Sequence, residues 1–402
     1  MTSENSLGSN PVIPYGRQWI TASDVRAVVK VLKSDWLTQG PLVRRFEEAF
    51  ARYCGASFAV AVSSGTAGLH LACLAAGFGK GDEILTSPMT FAATANAALY
   101  VGAEPVFADI EKRFIGLDPA ALLKKKTRHS RGILNVHFGG HPSLIGPKKN
   151  FSSQKDFCVI ADACHALGAE VQSGGQWKRI GSGEDADMSV FSFHPVKHIT
   201  TGEGGMIVTR RRDLYEKLLL LRSHGIEKDP RRFNDKAGRT RPWHYEMQTL
   251  GLNYRITDIQ CALGLSQLDR LDEMVDRRRD IAAFYGRTLK DIDLLKLPLE
   301  NSGICRSSYH LYTLRIDFKK IGTSREKVMN VLRQKGVGTQ VHYIPVISQP
   351  YYKKRYGLSL DDYPECARYY AETLSIPMFP SMTKSDRARV VRALKDSLRR
   401  SP

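Results

Sequence analysis

Residues 58–76 read FAVAV-SSGTAG-LHLACLAA, a short apolar run followed by a Ser/Gly-rich stretch and an Ala/Leu-rich stretch. A run such as Phe58–Val62 is typical of a buried strand, and a segment such as 69–76 is typical of a helix. The serines and glycines between them indicate a tight turn from strand to helix. This order of strand, turn and helix is the unit from which α/β folds are built.

The same unit recurs along the following part of the chain. With helical segments such as 92–100 between them, further strands are predicted at 83–86, 105–107, 132–136, 158–160 and 206–209. Because strand and helix alternate at this spacing, we expect an α/β fold. Its large domain would contain a mostly parallel sheet covered by helices on both faces.

The pattern changes after a long helical stretch at about 258–288. Shorter mixed segments follow, with a strand expected at 312–316, a helix at about 324–336 and a strand at 339–343. A smaller C-terminal α+β domain is therefore predicted. The expected division is a loose polar tail over 1–12, a large domain over 13–270 and the small domain over 271–402.

Composition restricts the class of protein and its partners. The chain has 402 residues and a formal net charge of +18, which is compatible with a basic surface that has no specific partner, with a polyanionic macromolecule as partner, or with a small anionic substrate such as a sugar nucleotide. The seven cysteines are scattered without a Cys-x-x-Cys pair, which argues against a zinc site or a disulfide framework. With no signal peptide and no apolar run of roughly 18–20 residues, we expect a cytoplasmic protein without a membrane span.

One lysine lies in an unusual local setting. Residues 192–197 read SFHPVK, and residues 200–205 read TTGEGG. A lysine held among small residues near a cationic ring or a phosphate can be kept partly neutral, which makes Lys197 a candidate nucleophile for Schiff-base chemistry. Most lysines are solvated surface charges, so the glycine-rich turn and the preceding Ser192 are what distinguish this one.

Three other positions could contact a planar, phosphorylated ligand. Asp162 follows a predicted buried strand, where a carboxylate needs a cationic partner; a helix N-cap is its ordinary alternative role. Residues 63–68 join a strand to the start of a helix, which favours binding of an anion. Phe91, at a strand end, can lie flat on a ring, although core packing is the common role of such a side chain.

Together these features predict a cofactor. An anion cradle, an aromatic plate, a buried aspartate and a lysine occur in this order on strand ends of one predicted sheet. They supply every contact that pyridoxal 5'-phosphate needs, and the large domain would hold it. The turn at 63–68 matches neither Gly-x-x-x-x-Gly-Lys-Ser/Thr nor Gly-x-Gly-x-x-Gly, which argues against nucleoside triphosphates and dinucleotides.

The chain resembles the sugar aminotransferases of the fold type I class, over residues 13–394. The matching motifs are 37–41 (LTQGP), 63–67 (SSGTA), Asp162 with His165, 192–205 and 251–255 (GLNYR). Within that family it is most similar to the pseudaminic acid enzymes that aminate a UDP-linked 4-keto-6-deoxy-N-acetyl sugar. That similarity is carried by 14–18 (PYGRQ), 222–226 (RSHGI), 309–312 (YHLY) and 340–345 (QVHYIP).

The resemblance implies how the cofactor would be held. Lys197 would carry pyridoxal 5'-phosphate and later move a proton between the substrate carbon and the cofactor. Asp162 would pair with the ring nitrogen, and His165 would lie against the ring or its hydroxyl. Phe91 would stack on the ring face opposite the lysine.

Phosphate and substrate contacts follow from the same resemblance. The phosphate would be bound by Thr66, Ala67 and Ser192, and by Asn253 of the partner subunit, which implies a homodimer with two shared active sites. The substrate contacts would be Tyr15, His342 and Tyr343. Departures from the family pattern are Ala161 in place of an acidic residue, Cys164 in place of alanine, and Gly-His-Pro at 140–142.

By this resemblance, the reaction transfers an amino group from glutamate to the 4-keto carbon of the sugar nucleotide. Alternatives are a different nucleotide-linked keto-sugar, an inactive structural relative, or a sugar dehydratase of the same fold; such dehydratases carry histidine where Lys197 stands. From another class, a DNA-binding regulator on an aminotransferase-like fold would suit the basic charge. It would need a helix-turn-helix module or a basic stripe, whereas Lys and Arg are dispersed here, so we expect no nucleic-acid partner.

Overall fold

A computed structural model of the chain describes residues 11–151, 154, 156–184 and 186–398. The tail predicted over 1–12 therefore lies outside the described residues, except for its last two positions. The strands are β1 (Phe58–Val62), β2 (Glu83–Thr86), β3 (Glu104–Phe107), β4 (Ser130–Val136), β5 (Cys158–Asp162), β6 (Glu170–Ser173), β7 (Gln176–Arg179), β8 (Met188–Ser192), β9 (Gly205–Thr209), β10 (Ile226–Glu227), β11 (Glu246–Met247), β12 (Leu295–Lys296), β13 (Cys305–Arg306), β14 (Tyr312–Ile316) and β15 (Thr373–Ile376).

The helices complete the layers around these strands. They are α1 (Ala22–Leu32), α2 (Pro41–Cys54), α3 (Gly65–Ala75), α4 (Ala92–Tyr100), α5 (Pro119–Lys125), α6 (Arg212–Arg222), α7 (Asp258–Leu268), α8 (Leu271–Leu289), α9 (Phe318–Ile321), α10 (Arg325–Gln334), α11 (Pro350–Tyr356), α12 (Pro364–Glu372) and α13 (Lys384–Leu398). Among these described helices, none combines the length and the apolar character that a membrane crossing requires.

The central sheet has the strand order β1-β9-β8-β5-β4-β2-β3. Neighbouring strands pair in parallel except around β9, which is antiparallel to both β1 and β8. The predicted α/β fold with a mostly parallel sheet is therefore confirmed. Because β1, β2, β5 and β8 run in the same direction, their carboxyl ends meet at one edge, where ligands bind in sheets of this type.

Helices cover both faces of this sheet, as the alternation of side chains along β1 shows. Val60 packs with Leu71 of α3 and Leu218 of α6 on one face. Ala61 packs with Phe50 of α2 on the opposite face. A strand buried on both faces is apolar at every position, which is why β1 appears in the sequence as an uninterrupted apolar run.

The prediction of one long helical stretch over 258–288 is wrong, because two helices occupy it: α7 ends at Leu268 and α8 begins at Leu271. Between them, Arg270 has φ −112° and ψ 10°, outside the helical region. Its Nη2 donates to Asp24 Oδ2 at 2.8 Å, and its guanidinium lies over the Trp19 ring. Contacts with the N-terminal part of the chain thus accompany a break that local periodicity does not reveal.

A second core surrounds the antiparallel sheet β12-β14-β15, which packs with α8, α10 and α13. Ile13 pairs with Val337 and is buried in this same core. The prediction of a strand at 339–343 is wrong, because only an isolated bridge between Gln340 and Ser375 forms in this segment. In addition, His342 Nδ1 lies 2.8 Å from the Ser375 hydroxyl, within hydrogen-bond distance. The division into domains over 13–270 and 271–402 stays a prediction.

Candidate active site

A cavity of about 570 Å³ lies at the carboxyl edge of the central sheet, a volume typical of small-molecule sites. It brings together most of the residues predicted from the sequence, namely Tyr15, Thr66, Phe91, Asp162, His165, Ser192, Lys197, His342 and Tyr343. Polar side chains that were not predicted also line it, including Ser64, Cys164, Glu203, His310 and Gln349. His310 lies in the sequence motif at 309–312 and Glu203 in the motif at 192–205, whereas no sequence signal marks Gln349.

The start of α3 forms one wall of the cavity. Ser64 caps this helix, and its hydroxyl accepts a hydrogen bond from the Ala67 N–H at 3.0 Å. At Gly65 a Cβ would lie 2.9 Å from Ser192 Cβ and 3.1 Å from Cys164 Sγ, so only glycine lets the helix start approach β8 so closely. Free N–H groups and the positive end of the helix dipole meet here, which fits a phosphate.

Lys197 lies in a tight turn after β8. Its N–H donates to the His194 carbonyl at 2.9 Å, and Thr200 Oγ1 donates to the Phe193 carbonyl at 3.0 Å. Burial lowers the pKa of the Lys197 amine from its ordinary value, and within the described ranges the amine forms no ion pair. A buried amine with a lowered pKa is available as a nucleophile.

Asp162 ends β5 with its carboxylate held by neutral donors. Thr94 Oγ1 donates to Oδ2 at 2.6 Å, and the Cys164 N–H donates to Oδ1 at 3.1 Å. Since Thr94 gives its hydrogen to Asp162, it accepts one from Thr90 at 2.7 Å. The carboxylate is 7% exposed, and among the described side chains no Lys or Arg pairs with it. A cationic ring nitrogen would supply the missing counter-charge.

His165 is held at both ring nitrogens. Its Nδ1 accepts from the Gly139 N–H at 3.3 Å, and its Nε2 lies 3.1 Å from the Tyr343 hydroxyl. The His310 ring packs against it, with ring centroids 4.4 Å apart. Burial first, and the nearby Lys197 charge second, keep the pKa of His165 well below its usual range. The ring is therefore neutral at physiological pH.

Residues 307–310 support this histidine pair, and side chains bind all four of their carbonyls. Arg279 donates to the Ser307 carbonyl at 3.1 Å, and His198 Nε2 lies 3.1 Å from the Ser308 carbonyl. Arg278 Nη1 donates to the next two carbonyls, at 3.3 and 3.2 Å. These bonds fix the backbone from which the His310 ring projects toward His165.

The outer part of the cavity carries aromatic side chains. Phe91 is 59% exposed at the start of α4, with its ring centroid 5.9 Å from that of Tyr343. Tyr15 and His342 lie side by side, with centroids 5.5 Å apart. Burial lowers the pKa of His342 to about 4. An exposed phenyl ring at a cavity mouth is uncovered apolar surface that a ligand ring could cover.

Two predicted residues do not line the cavity of their own chain. Ala67 is buried, and its backbone N–H bonds Ser64. Asn253 is exposed and lies in an isolated bridge with Ser223. A contact from Asn253 to this cavity within the same chain is therefore not observed.

The sequence profile of the DegT/DnrJ/EryC1/StrS aminotransferase family matches residues 18–395. The chain belongs to this family. It is 38% identical over 390 residues to the spore coat polysaccharide biosynthesis protein SpsC of Bacillus subtilis, covering 96% of this chain and 97% of that protein. The family assignment confirms the predicted resemblance to sugar aminotransferases.

Solved structures of other sugar aminotransferases have the same fold. Helicobacter pylori PseC, an aminotransferase involved in the biosynthesis of pseudoaminic acid, superposes with a TM-score of 0.85 at 30% identity, over 96% of this chain and 99% of that chain. Spr1654 from Streptococcus pneumoniae, in its PLP form, has a TM-score of 0.85 at 26% identity, over 96% and 98%.

DegT/DnrJ/EryC1/StrS aminotransferases depend on pyridoxal phosphate, and this chain is an aminotransferase that acts on a keto-sugar. Its cavity fits that cofactor. The helix start at Gly65 suits the phosphate, the Asp162 carboxylate lacks a cationic partner in the described part of the chain, and Lys197 is a buried amine.

Proposed function

We propose that this sugar aminotransferase transfers an amino group from glutamate to the 4-keto carbon of a UDP-linked 6-deoxy-N-acetyl hexose. The product would be a 4-amino sugar nucleotide of a pseudaminic acid-type pathway. The observation that carries the chemistry is the presence of Lys197, Asp162 and the start of α3 around one cavity. Support for the sugar comes from the likeness to PseC over almost the whole chain.

In this proposal the protein places charges and moves one proton. Pyridoxal phosphate, when bound, supplies an electron sink for the pair of electrons left as a C–H bond breaks. Asp162 holds the ring nitrogen protonated, because its buried carboxylate favours a cation beside it. Lys197 would hold the cofactor through its amine, and the same neutral amine would move a proton from the carbon of the amino donor to the cofactor, and from the cofactor to the sugar carbon in the second half of the reaction.

The remaining predicted residues position the ligands. Thr66, Ala67 and Ser192 bind the phosphate, the first two from the positive end of α3, and Phe91 covers one face of the ring. His165 lies against the ring. Tyr15, His342 and Tyr343 contact the sugar nucleotide. These are roles proposed for the residues, all of which line the cavity except Ala67.

We further propose a cytoplasmic homodimer in which Asn253 of the partner subunit reaches the phosphate. Asn253 is exposed and outside the cavity of its own chain. Shortly before it, Trp243, Met247 and Leu250 are 76%, 62% and 80% exposed. Large apolar side chains this exposed are typical of a surface that another protein covers, which supports a contact with a second copy.

The test of the chemistry uses Lys197→Ala beside a surface control, Lys178→Ala. We expect the wild-type protein and the control to bind the cofactor covalently, so that borohydride reduction fixes it on the peptide containing Lys197. L-glutamate should convert the bound cofactor to its amine form in both. Lys197→Ala should lose both responses. Retention of 4-amino-sugar output by Lys197→Ala would contradict the proposal.

The test of the substrate uses a set of nucleotide-linked keto-sugars that differ in nucleotide, keto position and N-acetylation. Mass spectrometry and NMR of the product would show an amine at C4 for the proposed reaction. The 38% identity to SpsC favours a second candidate, amination of a different nucleotide-linked keto-sugar, which would appear as turnover of another member of the set. Loss of water without gain of nitrogen would instead indicate a dehydratase.

A further inference from the structure

The hydrogen bonds of His165 determine where its proton lies. A backbone N–H can only donate, so the Gly139 N–H requires His165 Nδ1 to be an acceptor without a hydrogen. The ring therefore cannot be the doubly protonated cation. A neutral imidazole carries one hydrogen, which must then lie on Nε2. His165 is thus the Nε2–H tautomer.

This tautomer sets the direction of the next hydrogen bond. The atom 3.1 Å from Nε2 is the Tyr343 hydroxyl oxygen, which must accept the hydrogen. The groups packed around His165 keep the ring neutral: Lys197, His198 and His342 all disfavour a charge there, and burial has the largest effect. The phenolic hydrogen of Tyr343 is consequently not used in the bond to His165.

Tyr343 lines the cavity within a cluster of rings, of which His342 is the nearest, with ring centroids 4.9 Å apart. Phe91 and Phe138 lie with ring centroids 5.9 and 6.0 Å from that of Tyr343. In the described part of the chain, no other protein atom bonds its hydroxyl. Burial, as the largest cause, raises the pKa of Tyr343, so the phenol keeps its hydrogen at physiological pH. Tyr343 is half-buried at the cavity wall, and a ligand bound in the cavity can accept the hydrogen bond that this donor does not make within the described part of the chain.

We propose that Tyr343 donates a hydrogen bond to an acceptor oxygen of the bound ligand, in a direction set by the relay from the Gly139 N–H through His165. This inference rests on the proposed function only for the identity of the ligand. Two oxygens have the required chemistry: the ring hydroxyl oxygen of the cofactor and the keto oxygen of the sugar. A hydroxyl that donates selects for a carbonyl or an ionised oxygen and disfavours an ammonium group at this point.

The tautomer is tested on the full-length protein with its cofactor bound, without turnover. Protein labelled with 15N-histidine should show His165 with a protonated Nε2 and an unprotonated Nδ1 between about pH 6 and 8. The resonances are assigned by their loss in His165→Gln. A protonated Nδ1, or a doubly protonated ring in this range, would overturn the proposal whatever reaction the enzyme catalyses.

The donor is tested with Tyr343→Phe, which removes only the hydroxyl. Tyr352→Phe is the matched control, because its buried hydroxyl bonds Asn96 at 2.7 Å outside the cavity. We expect Tyr343→Phe to raise either the dissociation constant of pyridoxal phosphate or the KM of the keto-sugar by about tenfold, the effect of one buried hydrogen bond. The first result assigns the cofactor oxygen and the second the sugar oxygen. A change below about twofold in both, matching Tyr352→Phe, would contradict the donor role.

Discussion

At the scale of single residues, the site depends on how neutral donors hold one carboxylate. Thr94 Oγ1 donates to Asp162 at 2.6 Å in a buried setting, and a hydrogen bond to a charged group contributes about 1.5–3 kcal/mol. We predict that Thr94→Val, which keeps the shape and removes the hydroxyl, weakens binding of pyridoxal phosphate by about tenfold or more. The expected cause is poorer orientation of Asp162 toward the ring nitrogen.

A titration of cofactor-free protein with pyridoxal phosphate, followed by absorbance, measures this affinity. Thr86→Val is the matched control, because Thr86 Oγ1 also donates from a buried position, at 3.0 Å to the Leu134 carbonyl, but away from the cavity. Thr86→Val should lose less stability than Thr94→Val, because its bond joins two neutral groups. Equal cofactor affinity in Thr94→Val and Thr86→Val would show that Thr94 has no part in orienting Asp162.

At the scale of elements, α8 holds residues 307–310 through a buried guanidinium. Arg278 is fully buried, and its Nη1 contacts the carbonyls of Tyr309, His310 and Met378. Burial lowers the pKa of this arginine to about 9, so it stays protonated at physiological pH. Removing it leaves three buried carbonyls unpaired, but it also removes a buried charge whose Nε and Nη2 lack partners among the described residues.

We predict that the lost carbonyl bonds outweigh the relief of the buried charge. Arg278→Met should lower the free energy of unfolding by about 2–4 kcal/mol, since each unpaired buried acceptor costs about 1–3 kcal/mol. Arg278→Lys, which keeps a donor, should lose less than Arg278→Met. The control is Arg277→Met on the exposed side of α8, whose pair with Glu273 is worth at most about 1 kcal/mol. Urea unfolding compares the four proteins; equal losses in the two Met variants would contradict the prediction.

The sequence predicts elements well where one local pattern decides them. Strands such as β1 are buried on both faces, so their apolar runs are visible without knowledge of the partner strands. The break between α7 and α8 is not visible, because Arg270 contacts Asp24, which is 246 residues earlier in the chain. The cavity residues could be named because each lies in a local motif. The bond between Tyr343 and His165 joins residues 178 positions apart, so it required the structure.

At the scale of the whole molecule, several histidines are buried or half-buried without charge. Burial lowers the pKa of His141 and His342 to about 4 and keeps those of His165, His198 and His310 well below the usual range. In the unfolded chain each would titrate near its ordinary pKa of about 6.5. Below that pH the unfolded state binds protons that the folded state excludes, so the folded state loses stability as the pH falls.

We predict that the free energy of unfolding is nearly constant above about pH 7 and falls as the pH drops from about 6.5 toward 4. The slope approaches about 1.4 kcal/mol per pH unit for each excluded proton. His141→Gln should reduce the slope between about pH 5 and 6 by one such proton, because the half-buried His141 ring packs against Tyr309 and bears no charge there. His129→Gln, at an exposed position, should leave the slope unchanged. Urea unfolding at fixed protein concentration across this range measures both slopes. An unchanged slope in His141→Gln would mean that His141 takes up its proton in the folded state.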